Sequence, residues 1–403
     1  MRTGFLIFLG GIIACSSAAG VAGDYNEEPP PPAPVPEPDV ADPADAGSDA
    51  TSTEVDAGPC SDCEYFPETC SADALCPNGP FDPGASGGGL DLRTLITVIR
   101  GRSANDVWAT GAVGALAHFD GTSWRRVDLA TQETFWGLWL LDGADVVFGN
   151  LQTVRARGIV VPDGGAPPAN GWIEYSPTYT PGQIPMSYYS GPIFVGAWAS
   201  PGGEWMWGSM KGSTLGGLWR LRRSESGALE GGRGVPSAAC NSVFCYQVAS
   251  IHGATADQLW AVGSGGVAIR IDGADGPSPT LTAFNSQTWN ALSGVWQASE
   301  TAAWAVGAGG TIRRYTGGPT RWDVVDDVPT TVDLNAVWGF SPTDVWAVGD
   351  AGVVLHYDGK SWSRVKIAGL GVRRPNLTSI WGAAPGHVWI GGQGVILSLG
   401  GKP

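Results

Sequence analysis

A short pattern recurs along the chain and sharply limits what it can fold into. The stretch "DVWAVGDAGVVLHYDGKSW" (Asp344–Trp362) returns as "DVWATGAVGALAHFDGTSW" (Asp106–Trp124). Shorter copies are "QLWAVGSGGVAIRIDG" (Gln258–Gly273), "AAWAVGAGGTIRRYTG" (Ala302–Gly317) and "HVWIGGQGVILSLGG" (His387–Gly401). Their tryptophans are Trp108, Trp260, Trp304, Trp346 and Trp389, the last four separated by 44, 42 and 43 residues. The 152 residues from Trp108 to Trp260 leave room for two more units, and "DVVFGN" at Asp145 and "EWMWG" at Glu204 mark degenerate copies there. A second line of the pattern precedes each copy. It is clearest as "LNAVWG" (Leu334–Gly339), "LTSIWG" (Leu377–Gly382) and "LSGVWQ" (Leu292–Gln297), and is completed by "VASIHG", "FVGAWA", "FWGLWL" and "ITVIRG". Seven units fit one template.

Each unit holds three or four short runs of period-two alternation broken by Gly or Asp turns. In the sixth these are Leu334–Trp338, Val345–Val348, Val353–Tyr357 and Ser361–Val365. Such runs signal half-buried strands. Four antiparallel strands in every repeat of this length are the footprint of a β-propeller blade. A single blade has two apolar faces and cannot cover both. Radial stacking buries them, with indoles filling the wedges between sheets. The composition agrees: 61 glycines, 30 prolines and 19 tryptophans, with 15% charged residues, suit a turn-rich β protein and not a helical one. The expected fold is therefore all-β, a propeller of seven four-stranded blades over residues 78–403. The seventh unit stops at Pro403 just after its third strand, so closing the ring requires an N-terminal strand, expected within Phe81–Arg93.

On this reading the recurring Trp, Asp and His are scaffold. His118 and His356 occupy one register in different blades and cannot converge on a metal; Asp358-Gly359 with Trp362 reads as a hairpin turn with an anchoring aromatic. The segments "HYDGKSW" and "HFDGTSW" resemble the Asp-box (BNR) hairpin, one residue shorter between Asp and Trp than the usual pattern. The whole unit is similar to Trp/Gly-rich propeller repeats of bacterial exported lipoproteins, and distantly to photosystem assembly-factor propellers. The resemblance covers about residues 90–403. It is specific for fold and nearly silent about activity.

The N-terminal part has a different character. "MRTGFLIFLGGIIAC" carries one Arg and a short apolar run from Phe5 to Ile13, too short to span a bilayer, so residues 1–14 read as an export signal. "Ile12-Ile13-Ala14-Cys15" resembles a bacterial lipobox. It implies lipidation at Cys15, and Ser16 after it implies sorting to the outer membrane. Residues 15–58, rich in Pro, Asp and Ala, have almost no side chain able to build a core and read as a disordered tether. Residues 59–77 are Cys-rich. Setting Cys15 aside, six cysteines remain: Cys60, Cys63, Cys70, Cys76, Cys240 and Cys245. An even number in an exported chain points to disulfides, and with no His nearby the C-x2-C opening is a poor zinc site. The net charge of −15 opposes binding to nucleic acid.

Two places offer themselves for recognition. In a four-stranded meander (strands a to d, inner to outer), the b–c loops and d–a connections share one face of the ring. Extra length is expected there: Asn150–Ala169 and Ser209–Gly216 as b–c loops, Ser176–Ile193 and Arg223–Tyr246 as d–a connections. Long loops on a rigid scaffold are the usual recognition elements. They carry the candidate ligand-binding residues Tyr179, Tyr188, Tyr189, Phe244 and Tyr246, beside a Cys240–Cys245 staple. The rival location is a collar near the ring axis, where one register of the inner strand reads Arg100, Trp139, Trp198, His252, Trp296, Trp338 and Trp381. Repetition in nearly every blade is also what packing alone produces.

Catalysis has little support. The Asp-box resemblance includes sialidases, which place three arginines on the substrate carboxylate beside a Tyr–Glu nucleophile pair and an acid. Here the arginines fall in adjacent pairs (125–126, 222–223, 313–314, 373–374) and that signature is not visible. No Ser-His-Asp set, HExxH or phosphate loop stands out, and four scattered histidines suggest no metal centre or other cofactor. The expectation is a non-catalytic binding or interaction lipoprotein of the cell envelope, its ligand a protein or a glycan. The alternatives are a glycan-active enzyme and an assembly factor for an envelope complex.

Overall fold

A computed structural model describes residues 62–81, 89–160, 167–181, 183, 193–211 and 216–402. The expected signal, the tether, Cys15 and Cys60 lie outside them. Seven antiparallel sheets form a seven-bladed β-propeller. Their inner strands are Ile96–Ser103, Gly137–Leu141, Ile193–Ala199, Val248–Gly253, Leu292–Ser299, Leu334–Ser341 and Leu377–Ala384. Blade 6 is representative, continuing outward through Asp344–Gly349, Val354–Tyr357 and Trp362–Arg364. The third blade carries a fifth strand, Thr178–Tyr179, parallel to its outer strand Leu229–Arg233.

Each element of the repeated motif has a local task. The glycine ending strand b lies against the connection that enters strand a, where a Cβ at Gly349 would collide with the Asp333 carbonyl. Gly111, Gly263, Gly307 and Gly392 meet the equivalent carbonyls in their own blades. Only a glycine permits this approach. In blades 1 and 6 the leading Asp ties the sheet together. Asp344 Oδ1 accepts from Trp346 Nε1 at 3.1 Å and from His356 Nε2 at 2.8 Å; Asp106 does the same with Trp108 (3.0 Å) and His118 (2.8 Å). Each imidazole lies over its own tryptophan, with centroids 4.4 and 4.1 Å apart. In the turn that follows, Asp358 Oδ1 accepts the backbone N–H groups of Lys360 and Ser361, both at 2.9 Å.

The two halves of the motif meet across the blade boundary. The strand-b tryptophan of one blade enters a slot made by the strand c and d aromatics of the next. Trp304 lies 4.9 Å from Tyr357 and 5.5 Å from Trp362, and Trp260 lies 4.7 Å from Tyr315 and 4.8 Å from Trp322. Trp108 meets Trp172 edge-on at 5.9 Å. The series closes on itself: Trp389 of blade 7 lies 5.1 Å from Phe119 and 5.2 Å from Trp124 of blade 1. These rings are tilted or edge-to-face, the geometry that aromatic quadrupoles favour. No blade could bury them alone.

Ring closure does use an N-terminal strand, but not the expected one. Leu75–Pro77 pairs antiparallel with Val395–Leu399 as the outer strand of blade 7. The Cys-rich segment thus supplies part of a blade. Downstream, within the segment expected to close the ring, Phe81 makes only an isolated bridge to Leu90. Leu75 is fully buried, donates its N–H to the Lys366 carbonyl (2.9 Å) and accepts from Ala368 (2.8 Å), so it also ties blade 7 to the end of blade 6. The Cys70–Cys76 disulfide holds this strand, and Cys240–Cys245 forms as expected. Cys63 is also disulfide-bonded. Asp62 and Phe66 both engage Arg374, whose guanidinium sits 3.5 Å from the Phe66 ring centre.

One loop assignment is overturned. Strand c of blade 2 is Val154–Arg157, so the b–c turn is short, and the insertion expected at Asn150–Ala169 falls after strand c. It is a c–d loop and belongs to the opposite face. The Arg223–Tyr246 stretch likewise contains strand d (Leu229–Arg233) before its d–a connection, which holds a short helix, Ser237–Ser242.

Candidate functional site

The inner strands surround an axial channel, and the collar register lines it. In six blades the collar residue sits directly opposite the wedge tryptophan of strand b: Arg100 opposite Trp108, Trp198 opposite Trp207, His252 opposite Trp260, Trp296 opposite Trp304, Trp338 opposite Trp346 and Trp381 opposite Trp389. In blade 2, Trp139 faces Val146. Directly opposed residues of an antiparallel pair share one face of the sheet. One register therefore builds both the inter-blade wedge and the channel wall.

Two cavities occupy the channel. One, of about 590 Å³, opens toward the b–c and d–a face; the other, of about 840 Å³, opens toward the a–b face and contains all seven collar residues. They share Arg100, Ala197, His252 and Trp338, which form the waist. Trp139, Trp198, Trp296 and Trp381 are buried in the wall, whereas Trp338 and Arg100 are only half-buried, because they face the cavity. Small residues make room for the indoles. A Cβ on Gly101 would strike Trp381, and one on Gly339 would strike Trp296, so each of these tryptophans lies across the next blade's glycine.

The waist holds one charge. Arg100 places its guanidinium 5.8 Å from the Trp338 ring centre and donates through Nη1 to the carbonyls of Ile99 (2.8 Å) and Ile380 (3.5 Å). Among the described residues it has no carboxylate partner. Burial pushes its pKa down to about 10, which leaves it protonated at any physiological pH. His252 also lies near Trp338, with ring centres 5.6 Å apart, and its Nδ1 accepts the Gln297 N–H at 3.1 Å. Burial, aided by the nearby Arg100 charge, pushes it down to about 3, so the imidazole is neutral with its proton on Nε2. Arg102, at the a–b mouth, is by contrast paired with Asp106 and Asp145.

Of the loop residues singled out in the sequence, Tyr179 is committed to packing. Its hydroxyl donates to the Leu151 carbonyl, its ring meets Trp219 edge-on at 6.2 Å, and burial raises its pKa. Phe244 and Tyr246 stand together on the d–a face, with centroids 6.0 Å apart; Phe244 is exposed and Tyr246 half-buried. Tyr188 and Tyr189 lie outside the described residues. The largest exposed aromatic, Trp289, is 91% accessible, and its connection between blades 4 and 5 opens on the same face. A sequence signal for it exists. Three residues before the inner-strand leucine, blade 5 has Trp289 where blades 6 and 7 have Thr331 and Arg374. Among the described residues no group of three or more His, Cys, Asp or Glu is arranged to hold a metal, and no helix is long and apolar enough to cross a membrane.

Fold and channel together define a seven-bladed β-propeller with an aromatic axial collar. No family model and no curated protein matches the chain in sequence. Solved structures match in fold. YCF48 bound to a D1 peptide superposes with a TM-score of 0.55 at 16% identity, covering 82% of this chain and 98% of that one. YCF48 from Cyanidioschyzon merolae gives 0.54 at 18% identity, with 77% and 96% coverage. The extracellular domain of a putative one-component system, BT4673 of B. thetaiotaomicron, gives 0.56 at 13% identity over 81% of this chain and 40% of that one. At these identities the likeness is one of fold alone.

Proposed function

We propose that the protein is a non-catalytic binding module of the bacterial cell envelope. Its anchor is a lipid on Cys15, its tether the acidic segment that follows, and its partner a protein docked on the b–c and d–a face. Trp289 carries this reading. A tryptophan 91% exposed on a rigid scaffold hides no core and pins no blade. Phe244 (52%), Val372 (95%) and Val113 (61%) are exposed on connections that open on the same face. Exposed aromatic and apolar side chains of this kind act as anchors in protein interfaces, where Trp is enriched among the energetically dominant residues. A propeller of the same fold with a bound peptide supports a protein partner, and fold neighbours that are extracellular domains support an exported location.

A photo-reactive amino acid placed at position 289 in intact cells tests the reading, with position 324 on the exposed outer strand of blade 5 as control. A discrete adduct from position 289, absent from position 324, is expected. No adduct, or equal labelling from both positions, overturns it. An alkyne-fatty-acid label lost in Cys15→Ala tests the anchor. Turnover of a glycoside by the purified protein would replace the binding reading with an enzymatic one.

A further inference from the structure

We propose that the channel waist is a binding site for a small organic carboxylate carried on a flat ring, with Arg100 as its anion anchor and Trp338 as its stacking surface. The proposal does not rest on the protein-docking reading. Three observations carry it.

The first is the break in the register. Five of the seven collar positions are tryptophan and one is a neutral histidine; Arg100 is the exception. If the register served only to fill the channel, an indole would fill blade 1 as it fills its neighbours, without the cost of desolvating a cation. The second is the bonding at the waist. Arg100 has five N–H donors, and among the described residues only Nη1 has protein acceptors, both of them backbone carbonyls. His252 spends its acceptor on the Gln297 N–H, which leaves an Nε2–H donor. The Ile99 and Ile380 carbonyls are already engaged by Arg100. The waist therefore offers donors and a positive charge, with its acceptors used. A planar carboxylate accepts two parallel bonds from a guanidinium, which suits that inventory.

The third is size and lining. Cavities of about 590 and 840 Å³ on either side of Trp338 are the size of small-molecule sites and not of grooves for macromolecules. Trp338, half-buried and facing the cavity, presents a ring surface suited to a flat ligand body, while the buried Trp296 and Trp381 make the wall behind it apolar. The apolar channel walls around the half-buried guanidinium lower the local dielectric, which strengthens an ion pair formed there relative to one in open water.

Calorimetric titration of the purified protein with benzoate and indole-3-propionate, each against its neutral amide, tests the proposal. The acids are expected to bind at least about ten-fold more tightly than the amides, the equivalent of one charge-assisted bond. Arg100→Met should abolish that preference. It should also melt at or above the wild-type temperature, because it removes a half-buried cation that has no carboxylate partner among the described residues. Arg100→Lys keeps the charge without the fork, so it should fold and bind the acids with intermediate affinity. Equal binding of acid and amide overturns the proposal, as does Arg100→Met binding the acids like wild type. An Arg100→Met protein that fails to fold or melts well below wild type also overturns it, by showing that the guanidinium is there for packing.

Discussion

Replacing Trp389 with alanine tests the physical core of this architecture, because it empties the wedge at which the last blade meets the first. Trp389 is fully buried and touches Phe119 and Trp124 across the seam. Truncating a buried Trp costs about 3–5 kcal/mol when the cavity persists. Two aromatic pairs, one tilted (Phe119) and one edge-on (Trp124), are lost as well, at about 0.5–1.5 kcal/mol each, part of it already counted in the first figure. One effect runs the other way. The indole Nε1 of Trp389 is buried without a hydrogen-bond partner, so its removal returns about 1–3 kcal/mol. The net expectation is a loss of about 2–4 kcal/mol, whereas Trp389→Phe, which discards the orphan N–H and keeps a ring, should cost under about 1.5 kcal/mol. Urea unfolding followed by circular dichroism reads both, provided the transition is two-state. A loss below about 1 kcal/mol for Trp389→Ala would refute the idea that this indole wedges the seam.

Other outcomes follow from the same structure. Leu75→Ala should destabilise by about 2–5 kcal/mol in the same assay, since this fully buried side chain belongs to the strand that completes blade 7. Asp106 predicts a pH dependence. Burial raises its pKa, but the bonds from His118 and Arg102 outweigh that and hold it below the ordinary value of 3.8. A carboxyl depressed in the folded state contributes stability above its unfolded pKa and loses it as pH falls through the folded value. Wild type should therefore lose stability more steeply than Asp106→Asn below about pH 4, and parallel acid curves would contradict this.

The blades were legible in the sequence because most solve the same problem with the same residues: a glycine where strand b meets a carbonyl in five blades, and an indole for the wedge in six. The collar was legible for the same reason, as one register in seven inner strands. What the repeat could not reveal is that Trp338 and Arg100 turn into the cavity while the neighbouring indoles sink into the wall. Strand c of blade 2 was hidden by its arginines. In "VRAR" the buried Val154 and Ala156 alternate with Arg155 and Arg157, which reach Glu174 and Asp145, so the strand is four residues long with one bulky apolar side chain to mark it. The closing strand was hidden by length and distance. Three residues inside a cysteine knot carry no readable period, and their partner Val395–Leu399 lies at the other end of the chain. Tyr179 looked available because no local pattern shows that its hydroxyl is taken by Leu151.

Everything functional here rests on a closed ring that holds the channel and loop face in shape, and amide hydrogen exchange across the closing strand tests that closure most directly. The amides of Leu75 and Cys76 and those of Val395–Leu399 should exchange slowly and to a similar degree, and both sets should lose protection in Trp389→Ala. Free exchange of Leu75 and Cys76 beside a protected Val395–Leu399 would show that the ring is not closed in this way.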